Sequence, residues 1–354
     1  MSLLMSPFPL PFQKFLWKVR DLVRSMVKIA LPVNVYLLGR DEEETKRYVQ
    51  YTLMGAITVD HVCFICCNYF FGSDKPFPFP LHYGIKFISD VPVLLNDQHR
   101  FLVAVSGHHI HPSIPKENLT AIADLGTGTG IWLEDVAQTL PGSVYLHGFD
   151  ISSAQFPSHQ NHQRPISLSV HDVLHPFPVK HHSRYDLVHI RLLTAGLKKN
   201  DYATVLTNAR ALLKPNGYIQ WEELDHSAFC TDAVPEAAVI QQLRSSVINA
   251  MLSLGLWPYA PSRVHEEVVA GGFADVVMKT YTAQGKDHLR DISRKWVGGV
   301  MKALVPPSML VTGEAKTESQ ARDMVNSLVE EFDAHCRYAR AMVNLGVTVG
   351  RRVD

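Results

Sequence analysis

Seven residues, Asp124-Leu125-Gly126-Thr127-Gly128-Thr129-Gly130, set three glycines at alternate positions behind a carboxylate, and the helical run Ile131-Trp132-Leu133-Glu134-Asp135 follows at once. Glycine lets a backbone turn tightly and approach a ligand closely, and a helix start presents unpaired N–H groups. These are the parts of a nucleotide-type pocket. The spacing separates the ligands. A dinucleotide fingerprint needs glycine or alanine at position 131, where this chain has Ile131, so an oxidoreductase reading survives only if isoleucine is tolerated there. A Walker phosphate loop is excluded, because no Gly-Lys-Ser/Thr follows the glycines. About twenty residues on, Asp150 ends a second apolar run, where a carboxylate can accept both hydroxyls of a ribose. Its alternative use is a helix N-cap before Ser152-Ser153.

These residues need a scaffold, and from Thr120 onward short apolar runs alternate with helical stretches. The runs are 121–123, 144–149, 166–170, 185–190 and 217–221, and the alternation argues for a parallel sheet wrapped by helices. A helix over 235–256, a strand over 274–282, a helix opened by Thr317-Glu318 and a last apolar strand over 341–349 follow. Open α/β sheets bind ligands at the carboxyl ends of their strands. That rule brings His189, Arg191 and Glu222 towards the same pocket, while Asp172-Val173 ends the third run, where a surface turn is the plain alternative. His189 is the first candidate for base or positioner and Glu222 the second; the alternative for His189 is a hydrogen-bonded structural histidine. Arg191 is expected to close an ion pair with an acidic neighbour.

Composition narrows the classes. The chain has 354 residues, 46% hydrophobic and 19% charged, which describes a globular protein with a sizeable core. Lys plus Arg and Asp plus Glu both number 34, so no overall basic field draws in nucleic acid. The five cysteines are odd in number, with Cys63, Cys66 and Cys67 crowded together, which fits a reducing compartment better than a disulfide framework. The proline-broken N-terminus makes a poor secretory signal, so a cytoplasmic location is expected. The apolar stretch 51–71 carries Asp60 and His61 at its middle, and a central Asp costs roughly 3 kcal/mol in a bilayer, so stable membrane insertion is not expected. The run 14–30 has an apolar and a basic side, suited to packing on the main domain or to lying on a membrane surface. His108-His109, His111 and His181-His182 lie in expected loops and lack an i, i+4 helical pair beside an acid, so no metal is expected.

The glycine string and the order of the later features resemble the class I S-adenosylmethionine-dependent methyltransferases. The resemblance implies a Rossmann-like α/β fold: a seven-stranded sheet with an antiparallel last strand, an N-terminal helical cover and a helical insertion before the final hairpin. It implies S-adenosylmethionine as cofactor, held by Asp124, Gly126, Thr127, Gly128, Gly130, Asp150, Asp172 and Val173, the last two at the adenine. A closer resemblance lies in Tyr36-Leu37-Leu38, Asp41-Glu42-Glu43-Glu44, Asn96-Asp97-Gln98-His99-Arg100, His111-Pro112-Ser113-Ile114, Ile131-Trp132 and His189-Ile190-Arg191 with Gly196. These look like the fungal secondary-metabolism methyltransferases, which include tailoring enzymes of natural-product pathways and a global regulator of metabolite clusters. The resemblance implies methylation of an oxygen or nitrogen on a small-molecule natural product. Its alternative is a regulatory protein acting through partner proteins in the nucleus. No Asn-Pro-Pro-aromatic sequence ends the fourth strand, which counts against nucleic-acid amino groups as substrate. The stretch 235–257, with Trp257 and Tyr259, suits either a lid over an apolar scaffold or simple core packing. The chain then divides into an N-terminal helical region (1–47), an atypical insertion with the composition of a translated intron (48–95) and the methyltransferase domain (96–354).

Overall fold

The computed structural model describes residues 95–157 and 165–354. The expectations for the 14–30 helix, the 51–71 stretch, the three clustered cysteines and, but for its last residue, the 48–95 insertion lie outside the described residues.

The apolar runs become the strands β1 (Ala121–Leu125), β2 (Tyr145–Asp150), β3 (Ser167–Val170), β4 (Tyr185–Arg191) and β5 (Leu213–Leu224). They are buried along most of β1, β2, β4 and β5 and half-buried in β3 at the sheet edge. A two-stranded sheet of β6 (Cys230–Thr231) and β8 (Ala341–Met342) stands apart. The main sheet is closed by β7 (Ala274–Tyr281) and β9 (Leu345–Arg351), in the order β3-β2-β1-β4-β5-β9-β7. The first five strands are parallel, and β9 runs antiparallel between β5 and β7.

Strand alternation divides the core in two. On one face Ile122, Leu187 and Val347 join a cluster with Phe101 and Leu102 of helix α1 (95–106) and Trp132 of α2 (Ile131–Thr139). On the other, Ala123, Val188, Ile190 and Trp221 pack with α3 (Asp201–Leu212) and α5 (Ala260–Ala270). Helices α4 (Ala238–Ser253), α6 (Arg290–Thr312) and α7 (Glu318–His335) extend the first cluster. Thr317 caps α7 through its side chain, as its place before Glu318 predicts.

Two features differ from expectation. Between β3 and β4 the connection holds only a short 3-10 turn, Val179–His181, where Pro176 and Pro178 remove the N–H groups a helix would need. The helical addition also has two parts. Helices α4 and α5 precede the closing hairpin, while α6 and α7 lie inside it, between β7 and β9.

Candidate active site

The glycine loop folds over the end of β2. Gly126 N and Thr127 N both donate to Phe149 O, at 2.8 and 3.0 Å. Gly126 has φ +73°, and a Cβ there would lie 2.7 Å from Leu193 Cδ2, so only glycine fits between β1 and the loop after β4. Gly148 matters equally and carried no motif: a Cβ on it would lie 2.7 Å from the Thr127 side chain. Thr127 Oγ1 donates to Asp124 Oδ2 at 2.7 Å. Asp150 caps no helix among the described residues. Instead its carboxylate accepts from Gly128 N (2.9 Å) and Ser152 N (3.0 Å), while burial pushes its pKa up against both bonds. Asp172 Oδ1 accepts from Leu174 N at 2.9 Å, and its Oδ2 lies 3.0 Å from His175 Nδ1. Thr129 Oγ1 donates to Asn96 Oδ1 at 2.7 Å and so ties α1 to the glycine loop.

Behind this cradle lies a buried charged stripe, because Asp124, His189, Gln220 and Glu222 sit on one face of three adjacent strands. His189 is 1% exposed. Its Nδ1 donates to Asp124 Oδ1 at 2.7 Å, its Nε2 stands 3.6 Å from Glu222 Oε1, and its ring lies flat on Trp132 at 3.7 Å. Burial alone would lower the His189 pKa, but the two carboxylates outweigh it and raise it. Burial likewise favours the neutral acid at Glu222, and His189 reverses that. Gln220 Nε2 donates to Glu222 Oε1 (2.6 Å) and His109 O (2.9 Å), and Gln220 Oε1 accepts from His111 N (2.8 Å). The stripe therefore also holds the loop after α1.

Arg191 meets an imidazole rather than the expected acid. Its Nη2 donates to His99 Nδ1 at 2.7 Å. That leaves the proton of His99 on Nε2, which donates to Asp135 Oδ2 at 2.9 Å, and His109 Nε2 reaches the same oxygen at 3.3 Å. Burial, then Arg191, lowers the His99 pKa to about 4. His99, His109 and Asp135 are ligand types with their atoms within 4.8 Å of one another. With Arg191 donating to Nδ1, however, Nε2 of His99 carries a hydrogen and has no lone pair to offer a metal.

A cavity of about 310 Å³ joins these groups to a second, apolar end. Asp124, Gly126, Thr127, Gly128, Asp150, Asp172 and Val173 line it beside His189, Arg191 and the loop 192–197. Gly130 begins α2 just behind. Glu223 sets that loop: it accepts from Leu193 N (2.9 Å), Thr194 N (3.3 Å) and Trp221 Nε1 (2.9 Å). Burial holds the Glu223 carboxyl up at about 7, against the pull of these donors. The apolar end is lined by Leu224, His226, Met251 and Leu256, and by Trp296, Val300, Ala303 and Leu304 of α6. Of the 235–257 stretch, Met251 and Leu256 reach the cavity. Trp257 packs under Lys199 at 4.2 Å, and its carbonyl accepts from Thr194 Oγ1 at 3.2 Å. No element is expected from the sequence between the strand over 274–282 and the helix opened by Thr317, so α6 and its contribution are new with the structure.

Residues 122–217, from β1 into β5, match the family model described as a methyltransferase domain. The chain carries a methyltransferase domain. Its sheet, five parallel strands closed by an antiparallel pair, has the Rossmann-like seven-stranded arrangement that the sequence resemblance implies. Among curated proteins it is 40% identical over 153 residues to the methyltransferase grgD of a Penicillium species, covering 41% of this chain and 53% of that protein. It is 30% identical over 131 residues to the N-methyltransferase verN of Clonostachys rogersoniana, covering 36% and 45%. It is 31% identical over 103 residues to the secondary metabolism regulator laeA of Coprinopsis cinerea, covering 29% and 24%. The chain thus spans about half the length of the first two relatives it matches.

Proposed function

We propose that this chain is an S-adenosylmethionine-dependent methyltransferase acting on an oxygen or nitrogen of a small-molecule natural product. One observation carries the reading: a single cavity joins a cradle of backbone and carboxylates at the strand ends to an apolar chamber under α4 and α6. The cradle suits a nucleoside. Its glycines leave the backbone open, Asp150 stands where ribose hydroxyls are accepted, and Asp172 and Val173 offer a polar and an apolar side to a base. Bound S-adenosylmethionine would supply an electrophilic methyl group.

The chain's own residues do the rest. Asp150, Asp172 and the glycine loop bind, and Glu223 fixes the loop 192–197 that separates the two ends. His189 and Glu222 act as positioners. An imidazole already donating to Asp124 and stacked on Trp132 is built to hold β1, β4 and α2 in register. Alignment of two reactants is worth up to roughly 7 to 11 kcal/mol, so such a site can work chiefly by holding them. The curated N-methyltransferase among the relatives supports nitrogen as the acceptor. Among the described residues no helix is long and apolar enough to cross a membrane. The odd number and crowding of the five cysteines support a reducing, cytoplasmic location.

Isothermal titration of the full chain with S-adenosylmethionine and S-adenosylhomocysteine tests the reading. Saturable binding of both, lost in Asp150→Ala, is the expected result. A chain that binds neither would overturn it and return the regulatory alternative.

A further inference from the structure

Among the described residues the apolar chamber is lined by two polar groups that the proposed function does not use, the imidazole of His226 and the indole N–H of Trp296, which has no hydrogen-bond partner there. His226 follows the end of β5 by two residues, at the strand edge where the cradle also opens. The backbone there is fixed on both sides: Asp225 N donates to Asn344 O (2.9 Å), and His226 N to Pro258 O (3.2 Å). The Asp225 carboxylate is engaged by Ser227 N at 2.9 Å and Ser227 Oγ at 2.6 Å. The imidazole lines the cavity with Leu224, Met251, Leu256, Trp296 and Val300. Its ring nitrogens make no hydrogen bond to another described residue.

We propose that His226 is a substrate-binding residue, whose ring nitrogen accepts a hydrogen bond from a neutral hydroxyl or N–H group carried on an apolar scaffold. Buried polar groups in proteins find partners, and a few convergent polar atoms in an apolar pocket set the orientation of its ligand. Burial lowers the His226 pKa to about 4, so near neutral pH the ring is uncharged and one nitrogen presents a lone pair. The chamber also excludes a class of substrate. Among the described residues the lining around His226 is mainly apolar, and the neighbouring carboxylate, Asp225, has its Oδ1 taken up by Ser227, so a neutral donor loses less on entering than an ammonium ion does. The group meeting His226 is therefore a phenol, enol, amide or indole type of donor rather than a protonated amine. This rests on the methyltransferase reading only in making that donor the group to be methylated.

The test uses the full chain with 2-naphthol, naphthalene and 2-naphthylmethylamine as probes, titrated calorimetrically with and without S-adenosylhomocysteine. We expect 2-naphthol to bind about tenfold tighter than naphthalene, the worth of one well-formed hydrogen bond, and the protonated amine to bind most weakly. His226→Phe should erase the preference while leaving naphthalene and S-adenosylhomocysteine affinity unchanged, which also shows that the variant is folded. His226→Gln, which keeps an acceptor oxygen, should restore part of it. Absence of 2-naphthol binding, equal binding of the three probes, or a preference that survives in His226→Phe overturns the proposal. Failure of the nucleoside to bind while the 2-naphthol preference persists overturns the methyltransferase reading and leaves this site standing.

Discussion

At the sheet end of the cavity, Gly126 and Gly128 come from the loop after β1 and Asp150 from the last position of β2, about twenty residues on in a parallel sheet. At the helical end, Met251, Trp296 and Val300 come from α4 and α6, placed by packing alone. The first end uses backbone groups and carboxylates whose positions are locked by hydrogen bonds of 2.7 to 3.0 Å. The second uses side-chain volume. A site assembled from backbone tolerates almost no change, whereas one assembled from side chains on helices can be reshaped residue by residue. The strand-end cradle is therefore the fixed part of the molecule and the chamber the variable part.

That contrast can be broken at several points. The largest effect is expected for Gly128→Asp, which combines a φ of +55° with a second carboxylate beside Asp150. Affinity for S-adenosylmethionine should fall more than about a hundredfold by calorimetry, and unaltered affinity would reject the assigned cradle. Next comes His189→Phe. It keeps the stack on Trp132 but leaves Asp124 buried without its imidazole, at a cost of about 3 kcal/mol in chemical denaturation.

Glu223→Gln acts on pH dependence. The folded pKa, about 7, lies above the ordinary 4.5, so between these values the native state binds more protons than the unfolded chain. Stability then falls as pH rises through that window, by up to about 1.4 kcal/mol per pH unit. The variant should flatten this slope, as read from urea midpoints at pH 5, 6 and 7, and a slope unchanged in the variant would assign it elsewhere. The smallest effect sharpens the comparison: Val300→Phe should weaken 2-naphthol binding roughly tenfold by filling the chamber, with nucleoside affinity unchanged. A matching loss at the nucleoside end would show that the two ends are not separable.

The same division explains what could be read from the sequence. The cradle was legible because its chemistry is local: three glycines, Asp150 and Asp172 each follow an apolar run that had to be a strand. Gly148 escaped notice because its reason, contact with Thr127, exists only once β1 and β2 pair. His189 and Glu222 were found as titratable residues at strand ends. Their burial against Asp124 and Trp132 was not visible, because it depends on which face each strand turns to α2. Arg191 illustrates the limit: its partner, His99, lies 92 residues away on α1, and nothing in the spacing favours an imidazole over an acid. The chamber was least legible, since α6 was not read from the sequence, where Pro306 and Pro307 interrupt its helical pattern, and only the fold shows which turn faces the cavity.

At the opposite end of the strands, Asp186 accepts from Thr120 N (2.8 Å), Ala121 N (2.9 Å) and Lys214 Nζ (2.9 Å), joining the entrances of β1, β4 and β5. Burial favours its neutral form, but Thr120 and Lys214 outweigh that and hold the carboxyl below its usual range, so the clamp stays charged. Three strands are thus riveted at the end of the sheet away from the cradle. For anyone evolving this scaffold towards new acceptors, the rivet is the part to leave alone, and libraries drawn from α4 and α6 start from a frame that will not shift beneath them.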